Sequence, residues 1–191
     1  MSDGHVSRPW KTLSRRTVFG INRFLTVELH AVELPDGRVI DDWAWLAMPD
    51  YAVILARTFE GDFLCFRQRK YAVQGLFLAP PGGYLEPGEA PLAAAQRELL
   101  EETGCRAATW HSLGSYVVDS NRGAGTAHLF LALDAVTVAP RSADDLEEQE
   151  LLTLSREALE KAVTDGQIKV VAWAALIGLG LRKLDALAAA P

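Results

Sequence analysis

The stretch GGYLEPGEAPLAAAQRELLEETGC, residues 82–105, sets a Pro/Gly-rich loop in front of a segment unusually dense in acid. Pro91 suits a first helical turn, the residues after it are mostly Ala, Leu, Gln, Arg and Glu, and Gly104 stands where a helix would stop. At about 100° per residue, Leu92, Ala93, Ala95, Leu99 and Leu100 gather on one side and Glu98, Glu101 and Glu102 on the other. Carboxylates at i, i+3 and i+4 repel by roughly 0.2–0.5 kcal/mol per pair, and no lysine lies among them. A solvated acidic face is the usual reading of a charge run on a helix. Here the run is flanked by a glycine loop able to approach a ligand closely, which delivers a further acid, Glu89, just before the helix. Carboxylates beside such a loop suit a hard divalent cation, one that prefers oxygen ligands and is usually shared with substrate phosphates.

Gly83, Glu89, Arg97, Glu98, Leu99, Glu101, Glu102, Gly104 and Cys105 fit the pattern G-x5-E-x7-R-E-U-x-E-E-x-G-U, and on these residues the chain resembles the Nudix hydrolases. Cys105 is the one unusual choice, at a position asking for an apolar residue. The resemblance implies an α/β/α sandwich with a mixed β-sheet, and hydrolysis of a nucleoside diphosphate linked to another group by water attack on phosphorus. It also implies magnesium or manganese as cofactor. Glu101 and Glu102 are the leading metal ligands, Glu98 the third because it shares their face, and the Gly83 carbonyl a fourth by likeness to the family. Arg97 lies outside the acidic arc, and the family likeness pairs it with Glu89, fixing loop to helix in a supporting role.

Composition accords with a single enzyme domain and an appendage: 191 residues, 49% of them hydrophobic, with a net charge of −6. General nucleic-acid binding rests on lysine and arginine, so that charge argues against it, although Arg8, Lys11, Arg15, Arg16 and Arg23 cluster early, as a solvated segment or a subunit contact. The longest apolar run, VVAWAALIGLGL at 170–181, is too short to span a bilayer and reads as a packed helix. The start lacks the apolar core of a secretory signal, and Cys65 and Cys105 both sit in apolar contexts, so a reducing cytoplasm is expected.

Period-two stretches around Pro35-Asp36-Gly37 and around Glu60-Gly61-Asp62 predict two hairpins. After the acidic helix, SLGSYVVD and AHLFLALDAV read as strands separated by the glycine-rich SNRGAGT, and REALEKAVTDG reads as a helix. We divide the chain into an N-terminal β extension, 1–49, and a Nudix hydrolase domain, 50–191. The extension with its LPDG, the FRQRKY before the box and the C-terminal helices resemble the ADP-ribose and nucleotide-sugar pyrophosphatase branch. By that likeness Arg67 and Gln68 hold substrate, the loop carrying Arg122 meets the distal sugar, and the extension joins two subunits in a homodimer and completes the pocket. Two positions depart from the branch: Ala79 stands where a glutamate is usual, and Asn121-Arg122 near where a proline is usual. ADP-ribose is therefore one candidate among several nucleotide sugars.

A general base must come from outside the metal-bound acids. The resemblance implies a carboxylate from the loop after the later strands, where RSADDLEEQE offers Asp144, Asp145, Glu147, Glu148 and Glu150, most of them as a solvated acidic loop, with Glu147 and Glu148 preferred because they precede the apolar LLTLS at about the distance that likeness leads one to expect. His111 and His128 rank lower, a histidine in an apolar strand being more often a hydrogen-bonded structural residue. Five tryptophans could stack a nucleobase, but tryptophan is more often core or interface; Trp43 and Trp45 share one strand face. Two other functions remain in view. A triphosphate pyrophosphohydrolase is disfavoured by the extension and the acidic charge. A non-catalytic nucleotide-sugar sensor is disfavoured because the box keeps all its acids.

Overall fold

The computed structural model describes residues 8–142 and 149–189. In chain order these form β1 (Lys11–Ile21), β2 (Leu25–Glu33), β3 (Val39–Ala47), β4 (Tyr51–Thr58), β5 (Phe63–Lys70), β6 (Val73–Ala79), β7 (Gly82–Tyr84), α1 (Pro91–Thr103), β8 (Cys105–Arg106), β9 (Thr109–Asp119), β10 (Gly123–Thr137), β11 (Gln149–Leu154), α2 (Arg156–Thr164) and α3 (Val171–Ala188). They divide into two compact units, one of residues up to Pro49 with Val117–Thr126, the other of Asp50–Tyr116 with Ala127 onward.

In the first unit β1, β2 and β3 form an antiparallel meander. The Pro35-Asp36-Gly37 turn closes as read, with the Gly37 N–H donating to the Leu34 carbonyl and the Arg38 N–H to the Asp36 carboxylate. The early basic segment is largely strand β1, every residue of which is exposed. Its sequence, KTLSRRTVFGI, has no clean period-two pattern because neither face is buried, and period two reports burial on one face.

The second unit is a mixed sheet between helices. Strand β4 runs parallel to β10, from Ala127 beside Tyr51 to Ala132 beside Ala56, and antiparallel to β7. Alternate residues along it feed two cores. Val53 and Leu55 join Leu159 of α2 and Leu176, Ile177 and Leu181 of α3, while Ala52, Ile54 and Ala56 join Ala94, Ala95 and Leu99 of α1. Helices thus cover both faces, which is the expected sandwich. The α1 contact differs in detail from the sequence reading. Ala94, Ala95, Leu99 and Thr103 are buried, whereas Leu92 is 41% exposed. Small alanines let the helix lie close on the sheet, so the packed stripe follows residue size as well as hydrophobicity.

Strands β4 and β5 pair only at their hairpin end, Arg57 opposite Phe63, and then part. From there β4 takes β7 as its neighbour, while β5 is taken by β6 on one side and β11 on the other. The sheet is therefore split between the start of β4 and the end of β5. Helix α3 runs past the apolar run, to Ala188, and no helix among the described residues is long and apolar enough to cross a membrane.

Candidate active site

The split holds a cavity of about 410 Å³. Tyr51, Ala52 and Val53 of β4 form one bank with Gly82, Gly83 and Tyr84, and Phe66, Gln68 and Lys70 of β5 form the other. Glu98 and Glu102 of α1 open into it from one face of the sheet, Val170 and Trp173 at the start of α3 from the other.

The loop and helix that carry the acids are locked together by backbone as well as side chains. Gly82 has φ +152°, and a Cβ there would strike the Ala52 carbonyl oxygen and lie 2.9 Å from the Val53 Cα. Its N–H donates to Glu102 Oε2 at 2.8 Å. A Cβ on Gly83 would run into the Glu98 carboxylate, so the absence of a side chain is what lets that acid approach the loop backbone. The Gly104 N–H caps α1 on the Leu100 carbonyl at 2.8 Å.

Arg97 does not stand outside the acidic arc, as the helical projection suggested. It grips Glu89 in a fork, Nε to Oε1 at 2.9 Å and Nη2 to Oε2 at 2.9 Å, and Nη2 also donates to the Tyr84 carbonyl. Its Nη1 donates to Glu98 at 2.7 Å and to Glu101 at 3.0 Å. A long side chain reaches residues its Cα does not face, and so the cluster is partly neutralised by its own neighbour. Hydrogen bonds from Arg97 hold the Glu89 carboxyl below its ordinary range. Burial pushes Glu98 above its range, against the pull of Arg97. Arg97 itself is raised, first by Glu89.

Other candidates are dispersed. Gln68 is buried and lines the cavity, but Arg67, its neighbour on a strand, points the other way, exposed and 3.1 Å from Glu150. Arg122 belongs to the first unit and pairs with Asp119 at 3.5 Å. Glu147 and Glu148, with Asp144 and Asp145, lie outside the described residues. His128 Nδ1 meets Ser115 Oγ at 2.8 Å, and its Nε2 lies 3.7 Å from Asp50. In the first unit Trp43 packs edge-on to Trp10 and donates to the Asn121 carbonyl, while Trp45 stacks on His30. The sequence reading offered Trp173 only as one of five tryptophans able to stack a nucleobase and Lys70 only within the stretch resembling a substrate-holding motif, and it did not single out Tyr51 or Tyr84. For Lys70 the period-two spacing with Phe66 and Gln68 was the available signal; the others depend on the split.

Oxygen donors facing a cavity beside a glycine backbone fit a hard divalent cation, with Glu98 and Glu102 the donors nearest to hand and Glu101 adjoining through Arg97. Among the described residues no three acid, histidine or cysteine side chains are drawn together as a ready-made ligand cluster; each box carboxylate has its own partner, Glu102 the Gly82 N–H and Glu101 the Arg97 guanidinium, with Glu98 sharing the latter.

Comparison with known proteins agrees with this geometry. Residues 47–174 match the NUDIX domain and residues 10–46 the nucleoside diphosphate sugar hydrolase N-terminal domain. The chain is 27% identical over 153 residues to an ADP-ribose pyrophosphatase of Bacillus subtilis, covering 80% of each protein. It is 28% identical over 165 residues to a CMP-5'-(N-acetyl-N-hydroxy-3-aminopropyl)phosphonate hydrolase of Streptomyces rubellomurinus, covering 83% of this chain and 78% of that one. A methanol dehydrogenase activator of Bacillus methanolicus is 27% identical, again over 80% of each. The fold matches that of a solved ADP compounds hydrolase with a TM-score of 0.77 over 94% of this chain and 96% of that one, at 18% identity. Nudix hydrolases generally use divalent metal ions. With the domain match spanning the split sheet, the glycine loop and the acid-bearing helix together, the chain belongs to the Nudix hydrolase family.

Proposed function

We propose that this protein hydrolyses the diphosphate bond of a nucleoside diphosphate linked to a sugar, ADP-ribose or a similar nucleotide sugar, giving a nucleoside monophosphate and a sugar phosphate. The observation that carries the reading is the cavity in which Glu98, Glu102 and the Gly82-Gly83 backbone face aromatic and apolar walls. One part suits a metal-bound diphosphate, the rest an organic group. The match of residues 10–46 and the name of the Bacillus subtilis relative support the substrate class.

Glu98, Glu101 and Glu102 would hold magnesium, or manganese, with the Gly83 carbonyl. The bound ion supplies charge neutralisation on the diphosphate and lowers the pKa of a water molecule. Arg97 keeps Glu98 and Glu101 oriented and, through Glu89, ties the loop to the helix. Glu147 or Glu148 takes the proton from the attacking water, and Gln68, at the cavity wall, contacts substrate. Residues 1–49 form an extension that joins two copies of the chain, and the enzyme works as a cytoplasmic homodimer on a small molecule, without nucleic acid or membrane.

The test is product identification. Purified protein with magnesium, given a panel of nucleotide sugars and nucleoside triphosphates, should yield monophosphate and sugar phosphate from the former. Faster release of pyrophosphate from triphosphates would transfer the chain to that branch, and tight binding without turnover would make it a sensor. Glu102→Gln keeps an acceptor for the Gly82 N–H while removing a charge, so it should lose most turnover at an unchanged melting temperature.

A further inference from the structure

We infer that Trp173 and Gln68 form the face of the cavity that receives the nucleobase, making them specificity-determining residues; this rests on the nucleotide-sugar reading above. Trp173 sits in the first turn of α3, its N–H on the Val170 carbonyl, and lines the cavity. Its indole lies against Phe77, ring centroids 5.8 Å apart and planes 26° from parallel, and Phe77 is itself only 2% exposed. A buried ring thus backs the indole and fixes its plane, as a stacking platform requires. Gln68 is 5% exposed and lines the same cavity, so its amide stands where a group entering the cavity would meet it. An amide at that wall offers both a donor and an acceptor. The other polar groups at this wall, Lys70 and Gln149, already have partners.

The chemistry of the wall separates base from sugar. A sugar presents several hydroxyls, and against Phe66, Val170 and Trp173 most of them would be left unsatisfied. A nucleobase presents an apolar face for the indole and one edge of alternating donors and acceptors, which a single amide can meet with its own donor and acceptor. The acid-bearing wall, by contrast, has the oxygen donors that suit a metal-bound diphosphate. The base would then lie on the α3 side of the cavity and the diphosphate on the α1 side.

Calorimetric titration of the full chain, in magnesium, with AMP, GMP, CMP, UMP and ribose 5-phosphate tests this without relying on turnover. We expect wild-type protein to bind at least one of the four monophosphates. Trp173→Ala should weaken that binding about tenfold, in line with base stacking on aromatic side chains, and leave ribose 5-phosphate affinity unchanged. Trp173→Phe should restore most of the loss, and Gln68→Met should alter the ranking of the four bases. Where the alanine variant does not fold, Trp173→Leu keeps apolar volume and removes the platform. The inference is overturned if no monophosphate binds, if a folded Trp173 variant without a ring binds monophosphates as wild type does, or if ribose 5-phosphate is the ligand that suffers. Binding that depends on Trp173 in a protein that hydrolyses no nucleotide sugar would sink the proposed function and leave this inference standing.

Discussion

Replacing Arg97 by methionine keeps much of the aliphatic stem and removes the guanidinium that joins Glu89, Glu98, Glu101 and the Tyr84 carbonyl. Breaking a buried ion pair by deleting one partner costs about 3–5 kcal/mol. The Arg97 side chain is 26% exposed and those of Glu89 and Glu98 15% and 14%, so solvent recovers part of that; about 2–3 kcal/mol is expected. For a chain of this size that corresponds to a fall in melting temperature of about 4–12 °C. The pH dependence gives a sharper check. In the wild type Glu89 is depressed, so its pairing stabilises the fold above the ordinary value of 4.5 and is lost as pH falls below it. Glu98 is raised by burial, and losing Arg97 raises it further, so the folded variant takes up a proton there before the unfolded chain does. The stability deficit of Arg97→Met should therefore be largest near neutral pH and shrink as pH falls toward 4.5. Urea unfolding of both proteins at several pH values, without added metal, measures it. A deficit below about 1 kcal/mol at pH 7, or one that grows on acidification, would show that the carboxylates do not depend on Arg97.

Gly82→Ala places a Cβ against the Ala52 carbonyl at a φ that L residues rarely adopt, and should cost about 2–4 kcal/mol, read from the urea midpoint. Cys65 is buried and its thiol is pushed up to about 12, so a thiol reagent at pH 8 should modify it only at the rate of unfolding; rapid labelling of the native protein would contradict its place in the core. Glu147→Gln or Glu148→Gln should lower kcat strongly with little change in KM, as expected of a group acting mainly in the transition state, while Asp144→Ala does much less. If all of these acids prove dispensable, the proton is taken by a group inside the box.

The acid-bearing helix was legible because everything that defines it is local: a proline at its start, strong helix formers and a glycine at its end. The two hairpins were legible for the same reason, through turn residues and alternation. Strands β1, β6 and β7 were not. The first buries neither face, and the last two take their identity from partners far along the chain, β7 from β4 and β6 from β5. A segment as short as Gly82–Tyr84 has no periodicity of its own to read, so a loop rich in proline and glycine was the only description the sequence allowed.

The site shows the same division between what is local and what the fold supplies. Arg67 and Gln68 arrive together by motif, but adjacent residues of a strand face opposite ways, and only the register of β5 with β6 and β11 decides which one turns toward the cavity. Trp173 lies far from the box in sequence and reaches the cavity because α3 packs on the face of the sheet opposite α1. Both helices need Ala52–Leu55 between them: even-numbered residues seat the acids' helix and odd-numbered ones seat the tryptophan's. An opening between β4 and β5 then gives the two sides a common space, and it exists because those strands cease to pair soon after their turn. Restoring that pairing would close the cavity while leaving every motif intact, so the box by itself specifies the acids and the split sheet gives a substrate access to them.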